Sequence, residues 1–268
     1  MIDLHTHTDF SFDGHATGEE MLTKAAELGL EAIAFTDHVE MDCYTGPPYY
    51  SDAAAAGSFT LYERLKERAP VRLLAGIEAG QPHYAPEVTA FVLSAYTYDE
   101  VVGSIHNLRG MQDFSFMAYE DASDETIAGW LRDYFEEERL LAESGLADIL
   151  AHLTYPLRYI VGDFGRQVDL AAYAGQIDAV LKAVIRNGMA LEINTSGLRQ
   201  NLGVTLPDEH FLRRYRQLGG ERITFGSDAH YTKHLGLGLD RGIAMAKQIG
   251  FEKQCLYIRR TCTEVPLG

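Results

Sequence analysis

Six of seven short apolar runs in this chain carry a histidine, a glutamate or an aspartate at or next to their last residue. The runs are Ile2–His7, Ala32–His38, Val71–Ala79, Val101–His106, Ala147–His152, Ala190–Thr195 and Arg222–Asp228. Between most of them lie segments with helical spacing. Gly18–Leu28 sets Met21, Leu22, Ala25 and Ala26 on one face and stops at Gly29; Ile127–Glu143, Leu170–Arg186, Asp208–Leu218 and Asp240–Ile249 read the same way. Strands alternating with helices build a parallel sheet from βαβ units. Seven such strands exceed one mononucleotide-binding half and suit a closed α/β barrel. Cys255–Arg259 is either an eighth strand or an edge extension. Two stretches interrupt the rhythm, Met41–Gly57 and Arg109–Ser123, and are expected as loops shaping the mouth of the barrel. No repeat, low-complexity tract or linker divides the chain, so one domain over residues 1–268 is expected.

Strand parity places the polar groups. Residues two apart share a face, so Ile2, Leu4 and Thr6 should point to the helices, and Asp3, His5 and His7 to the barrel interior. His38 shares its face with Ala34 and Thr36, Glu78 with Gly76, and His106 with Ser104. His152 ends the fifth strand, and Asp228 and His230 share a face after the seventh. A single terminal histidine is unremarkable. Six of the ten histidines at successive strand ends, joined by Glu78 and Asp228, are hard to explain as packing, because burying so many titratable groups without a cation is very costly. Imidazole and carboxylate are the ligands of Zn, Mn and Fe, so a polynuclear metal site resolves that cost. His5-Thr6-His7 puts two imidazoles about 7 Å apart at the backbone on one face. Glu78 is the one carboxylate of its strand and suits a bridge between two cations.

Charge narrows the partners. With 23 Lys+Arg against 39 Asp+Glu, the net charge of −16 argues against binding long nucleic acids. A small anionic substrate is compatible, since bound metal ions reverse the local field. Cys43, Cys255 and Cys262 are too few and scattered for a disulfide framework, and no CxxC pair offers a thiolate site. The N-terminus lacks the pattern of a signal peptide, and no apolar run approaches a membrane span. A soluble cytoplasmic protein is expected.

The strings HTHTDFSFDGH, FTDH, GIEAG, GSIHNL, LAHLT, NTSGLR and GSDAH, running in order from residue 5 to residue 230, resemble the polymerase and histidinol phosphatase (PHP) superfamily, and within it the histidinol-phosphate phosphatases. The resemblance covers nearly the whole chain. It implies a distorted (β/α)7 barrel with three divalent metals, Zn, Mn, Fe or Co, at the C-terminal rim. It implies that His5, His7, Glu78 and Asp228 hold the first metal and that Glu78 bridges to a second, held by His106 and His152. His15, His38 and His230 would hold the third, with Asp13 a rival to His15. Asp37 has the wrong parity for direct ligation and is read as orienting a neighbour.

Such a centre suits phosphate-monoester hydrolysis: bridged ions lower the pKa of a shared water, and the resulting hydroxide attacks phosphorus. Glu78, Asp228 and His230 are the expected catalytic residues, and Asp228 or a histidine of the rim is the expected proton donor to the leaving group. Arg158, Arg199 and Asn194 follow or end strands and are expected to bind substrate. Lys233, His234, His83 and His210 are read as surface residues, with His83 near enough to Glu78 to touch substrate. Phe10, Phe12, Tyr44, Tyr49, Tyr50, Phe114, Phe116 and Tyr119 either wall a substrate pocket or cap the barrel mouth. The expected reaction is hydrolysis of L-histidinol phosphate in histidine biosynthesis. A nucleotide phosphodiesterase or exonuclease, and a catalytically silent metal-bound domain, are the alternatives.

Overall fold

The computed structural model describes residues 1–43 and 52–268; Tyr44, Tyr49 and Tyr50 lie outside the described residues. Its centre is a parallel sheet of β1 (Ile2–Thr6), β2 (Ala32–Phe35), β3 (His38–Glu40), β4 (Arg72–Gly80), β5 (Glu100–Ser104), β6 (Ile149–Leu150), β7 (Ala190–Asn194) and β8 (Ile223–Gly226). The order is β1-β2-β4-β5-β6-β7-β8, with β3 also pairing β4. A parallel bridge from Thr6 to Ala229 and the Asp228 N–H donated to the His5 carbonyl at 2.8 Å bring β8 back to β1 and close the barrel. β2 and β3 are one strand of the sequence reading, interrupted at Thr36 and Asp37, so the expected seven-stranded distorted barrel is the fold observed.

Seven helices surround it: α1 (Gly18–Glu27), α2 (Asp52–Leu65), α3 (Pro86–Ala95), α4 (Asp124–Ser144), α5 (Ala174–Arg186), α6 (Glu209–Gln217) and α7 (Leu239–Ile249) are those among the described residues. Local chemistry sets their ends. Thr17 and Glu20 form a capping box on α1, Ser123 and Asp208 cap α4 and α6, and Gly145 ends α4 in the left-handed conformation. Part of the interruption expected over Met41–Gly57 is therefore helical: from Asp52 the alanine run opens α2, because alanine favours a helix without needing an apolar stripe.

Two features of the barrel differ from the alternation read off the sequence. Asp3 pairs with Ile33 and Thr6 with Phe35, so β1 carries one extra residue there, a β-bulge. Ile2 and Leu4 consequently pack inside, against Ala32, Ala34, Leu74 and Leu256, while His5 also faces inward. Asp3 turns away, accepting the N–H groups of Ser227 at 2.8 Å and Gly236 at 3.1 Å. The second feature lies beyond the last helix, where β9 (Lys253–Ile258) and β10 (Thr261–Pro266) form an antiparallel hairpin, not an eighth barrel strand. Leu256 packs against β1, β2 and β4, while Cys255 and Tyr257 pack against Val102, Ile149, Ala151 and Ala190. The hairpin thus plugs the barrel's N-terminal end with apolar side chains on both faces, and brings the Cys255 and Cys262 thiols into contact. The opposite end is left to the polar residues.

Candidate metal centre

Glu78 lies at the middle of the C-terminal rim, and its carboxylate is fully buried. Oε1 stands 2.9 Å from His152 Nε2 and 3.2 Å from His106 Nε2. Oε2 stands 2.9 Å from His38 Nδ1, 3.2 Å from His5 Nε2 and 3.5 Å from His7 Nε2. Each oxygen therefore faces its own group of imidazoles. Asp228 Oδ1 lies 3.5 Å from both His7 Nε2 and His230 Nδ1. His230 Nε2 lies 3.4 Å from His38 Nε2. Asp13 reaches both of these rings, 3.2 Å from His230 Nε2 and 3.6 Å from His38 Nε2.

The donor set fits cations. His5 Nε2, His7 Nε2, His38 Nδ1 and Glu78 Oε2 are buried without a hydrogen-bond partner, a costly state unless each directs a lone pair at an ion. Four triads bring their ligating atoms within 4.8 Å of one another: His5-His7-Asp228, His5-Glu78-His152, His7-His38-His230 and His38-Glu40-His106. Titration follows from the crowding. Burial, with His230 and His38 alongside, keeps His7 well below its ordinary pKa and so neutral. Burial alone would raise the Glu78 carboxyl, but the imidazoles of His38, His5 and His106 hold it well below the usual carboxylate range. Burial also opposes a charge on His38, yet Glu78 and Asp13 lift it to about 9.

Surrounding groups aim these ligands. Asp37 accepts four hydrogen bonds, from Thr8 N–H and Oγ1 and from the Ser11 and Ser58 hydroxyls. Ser11 Oγ in turn lies 3.0 Å from His7 Nδ1. Two residues that sequence reasoning missed are as close to the imidazoles. Glu40 Oε1 is 2.8 Å from His106 Nδ1, and Glu192 Oε1 is 2.7 Å from His5 Nδ1. Gly80 and Gly226 make room for them, since a Cβ at either position would overlap the Glu40 or Glu192 carboxylate. Asp228 adopts a positive φ of 53°, an uncommon conformation of the kind that collects at functional sites.

The PHP domain matches residues 3–196 of the sequence. The chain belongs to the PHP family. It is 31% identical over 257 residues to a probable histidinol-phosphatase of Thermotoga maritima, covering 94% of each chain. It is 25% identical to a histidinol-phosphatase of Lactococcus lactis, covering 94% of this chain and 92% of the other. A crystal structure of histidinol phosphate phosphatase from Lactococcus lactis, complexed with zinc, L-histidinol and phosphate, superposes with a TM-score of 0.80 at 22% identity, covering 98% of each chain.

Within this PHP fold, several residues sit elsewhere than expected. His15 is exposed and stacks on Tyr231 at 4.3 Å between ring centroids; neither it nor Asp13 belongs to the four triads, but Asp13 reaches the His38 and His230 rings and His15 does not. A tight turn, with Gly14 N–H donated to the Ser11 carbonyl, precedes His15, whose own N–H is donated to the His230 carbonyl. Arg199 is spent on the backbone, donating to the carbonyls of Ser227 and Asp228, so it braces the Asp228 turn where phosphate binding was expected. Asn194 is likewise engaged, with Ser196 N–H and Oγ on its oxygen and Glu192 on its amide, and it is buried and does not line the cavity. Arg158 does reach the cavity. Its guanidinium donates to Ser196 Oγ at 2.6 Å and to Asp228 Oδ2 at 3.1 Å, and its Nε is buried and unpaired. His83 is largely buried and paired with Glu137 at 2.7 Å, while His210 is exposed. Phe12 and Phe116 line the cavity above the cluster, whereas Phe114 and Tyr119 are fully buried in the core.

Proposed function

We propose that this PHP-family chain is a metal-dependent phosphomonoesterase that converts L-histidinol phosphate to L-histidinol and phosphate, as a step of histidine biosynthesis in the cytoplasm. The observation that carries this reading is the Glu78 carboxylate, whose two oxygens face separate groups of histidines. His5, His7, Glu78 and Asp228 would hold one ion, Glu78, His106 and His152 a second, and Asp13, His38 and His230 a third. Divalent ions in such a site supply a water nucleophile at neutral pH and positive charge against the phosphoryl oxygens. The relatives' names and the ligands of the Lactococcus structure support the substrate.

The chain's own groups account for the rest. The bond from phosphorus to the ester oxygen breaks as a water oxygen bonds to phosphorus. Arg158 lies on the cavity wall and is aimed by Ser196 and Asp228, so its remaining donors can take phosphoryl oxygens and stabilise charge that develops there. Asp228 lines the same wall, and its Oδ2, on the Arg158 side and away from the His7 and His230 contacts of Oδ1, is placed to accept the proton of the water and return one to the leaving alkoxide. Glu192, Ser11 and Glu40 hold the ligand rings in orientation. Zinc-loaded protein assayed on L-histidinol phosphate and on bis(p-nitrophenyl) phosphate tests the reading. Phosphate release from the monoester is expected to be faster by a factor of 100 or more, and a preference for the diester would contradict it.

A further inference from the structure

Three carboxylates line the cavity above the histidine cluster: Asp13, Asp113 and Asp228. Two are committed. Asp13 contacts His38 and His230, and Asp228 contacts His7, His230 and Arg158. Asp113 differs. Its Oδ1 accepts from Ser115 N–H at 2.6 Å and from the Tyr155 hydroxyl at 3.3 Å, and among the described residues it forms no ion pair. Arg158 lies over the face of that same Tyr155 ring, 5.0 Å from its centroid. One phenol ring therefore separates a carboxylate without a cation from the arginine at the anion-binding end.

An uncompensated negative charge in a pocket that must admit a phosphate is a liability, because it repels the substrate it serves. The liability becomes selectivity if the substrate carries a positive charge at the matching distance. Phe116, 65% exposed, and Phe12, 41% exposed, add flat aromatic faces at the mouth, which favour a cation or a planar ring. We propose that Asp113 is the subsite for the cationic end of the substrate, so that the pocket selects phosphomonoesters whose alcohol bears a protonated amine or imidazolium and disfavours neutral or further anionic ones. The inference rests on the phosphomonoesterase reading above and names a residue that sets its specificity.

Asp113→Asn isolates the charge, because asparagine keeps an oxygen for the Ser115 N–H and the Tyr155 hydroxyl and caps a turn as well as aspartate does. Zinc-loaded wild type and variant are compared on L-histidinol phosphate and on glycerol phosphate, with L-histidinol as inhibitor. The variant should raise KM for L-histidinol phosphate at least tenfold, leave kcat within about threefold and weaken inhibition by L-histidinol to match. KM for glycerol phosphate should stay the same or fall. An unchanged KM for L-histidinol phosphate overturns the subsite, and so does an equal loss on both esters, which would mark Asp113 as structural. If wild type hydrolyses neither ester, the phosphomonoesterase reading fails by itself; calorimetric binding of L-histidinol to wild type and variant then decides the subsite, with equal affinity overturning it.

Discussion

Glu192→Gln tests the centre through a residue that touches neither the cavity nor Glu78. Glu192 is 1% exposed, with Oε1 at 2.7 Å from His5 Nδ1 and Oε2 accepting from the His152 N–H at 2.7 Å and from Asn194 Nδ2 at 3.1 Å. Both oxygens are acceptors, which keeps the proton of His5 on Nδ1 and leaves the Nε2 lone pair facing the Glu78 side. Glutamine offers one oxygen and one NH2. If its oxygen stays on His5, the NH2 meets two donors, the His152 N–H and the Asn194 amide, and a buried clash costs about 1–3 kcal/mol. If it flips, the NH2 faces His5 Nδ1 and drives the proton to Nε2, where the ligating lone pair belongs. Either outcome should lower zinc affinity by about 10–100-fold, or about 1.4–2.7 kcal/mol at 1.36 kcal/mol per decade. Competition against a chromophoric chelator measures it, with circular dichroism to confirm the fold. Zinc affinity within twofold of wild type would refute the claim that Glu192 sets the His5 tautomer.

Asp13→Asn should weaken metal retention and cut turnover at least tenfold, while His15→Ala leaves both within about twofold, measured by metal content and phosphate release; a damaging His15→Ala would restore His15 to the site. Arg158→Ala should raise the inhibition constant for inorganic phosphate about tenfold or more, the loss of a charged hydrogen bond, whereas Arg199→Ala should chiefly lower the melting temperature through the Asp228 turn. Glu138 is fully buried in α4, and burial raises its carboxyl to about 8 despite the nearby Tyr134 hydroxyl. Folded Glu138 stays protonated while the unfolded group ionises above about 4.5, so its contribution to stability is complete below that pH and is lost as pH rises to about 8, at up to about 1.4 kcal/mol per pH unit. Glu138→Gln should flatten that decline in denaturant melts, and an unchanged pH profile would count against the buried acid.

The chemistry of the rim was legible because it stands at strand ends, where period-two parity and the apolar runs agree. His5, His7, His38, Glu78, His106, His152, Asp228 and His230 all come together. Parity misled in β1, since a one-residue bulge turns Leu4 inward beside His5 and nothing in Asp3–Thr6 announces it. Glu40 and Glu192 were missed, although a signal existed: each lies two residues from a candidate site residue, His38 and Asn194, and so shares its face along the strand. The choice between Asp13 and His15 depends on the path of a turn, which strand periodicity does not specify. Arg199 and Asn194 end or follow a strand in the sequence, yet neither lines the cavity, and each is engaged within the fold. Helices α2 and α3 lacked a clear apolar stripe, the one by its alanine run and the other because the consecutive apolar residues Ala90, Phe91, Val92 and Leu93 go round the helix.

The most direct test is metal content per chain, measured by atomic emission on the same samples in which phosphate release from L-histidinol phosphate is followed. Wild type should hold close to three divalent transition-metal ions per chain, lose turnover when a chelator strips them and regain it on repletion. Glu78→Gln should retain fewer ions and lose at least 100-fold in turnover, since one carboxylate serves two of the three positions. Full hydrolysis by stripped protein, or wild-type turnover and metal content in Glu78→Gln, would contradict the account.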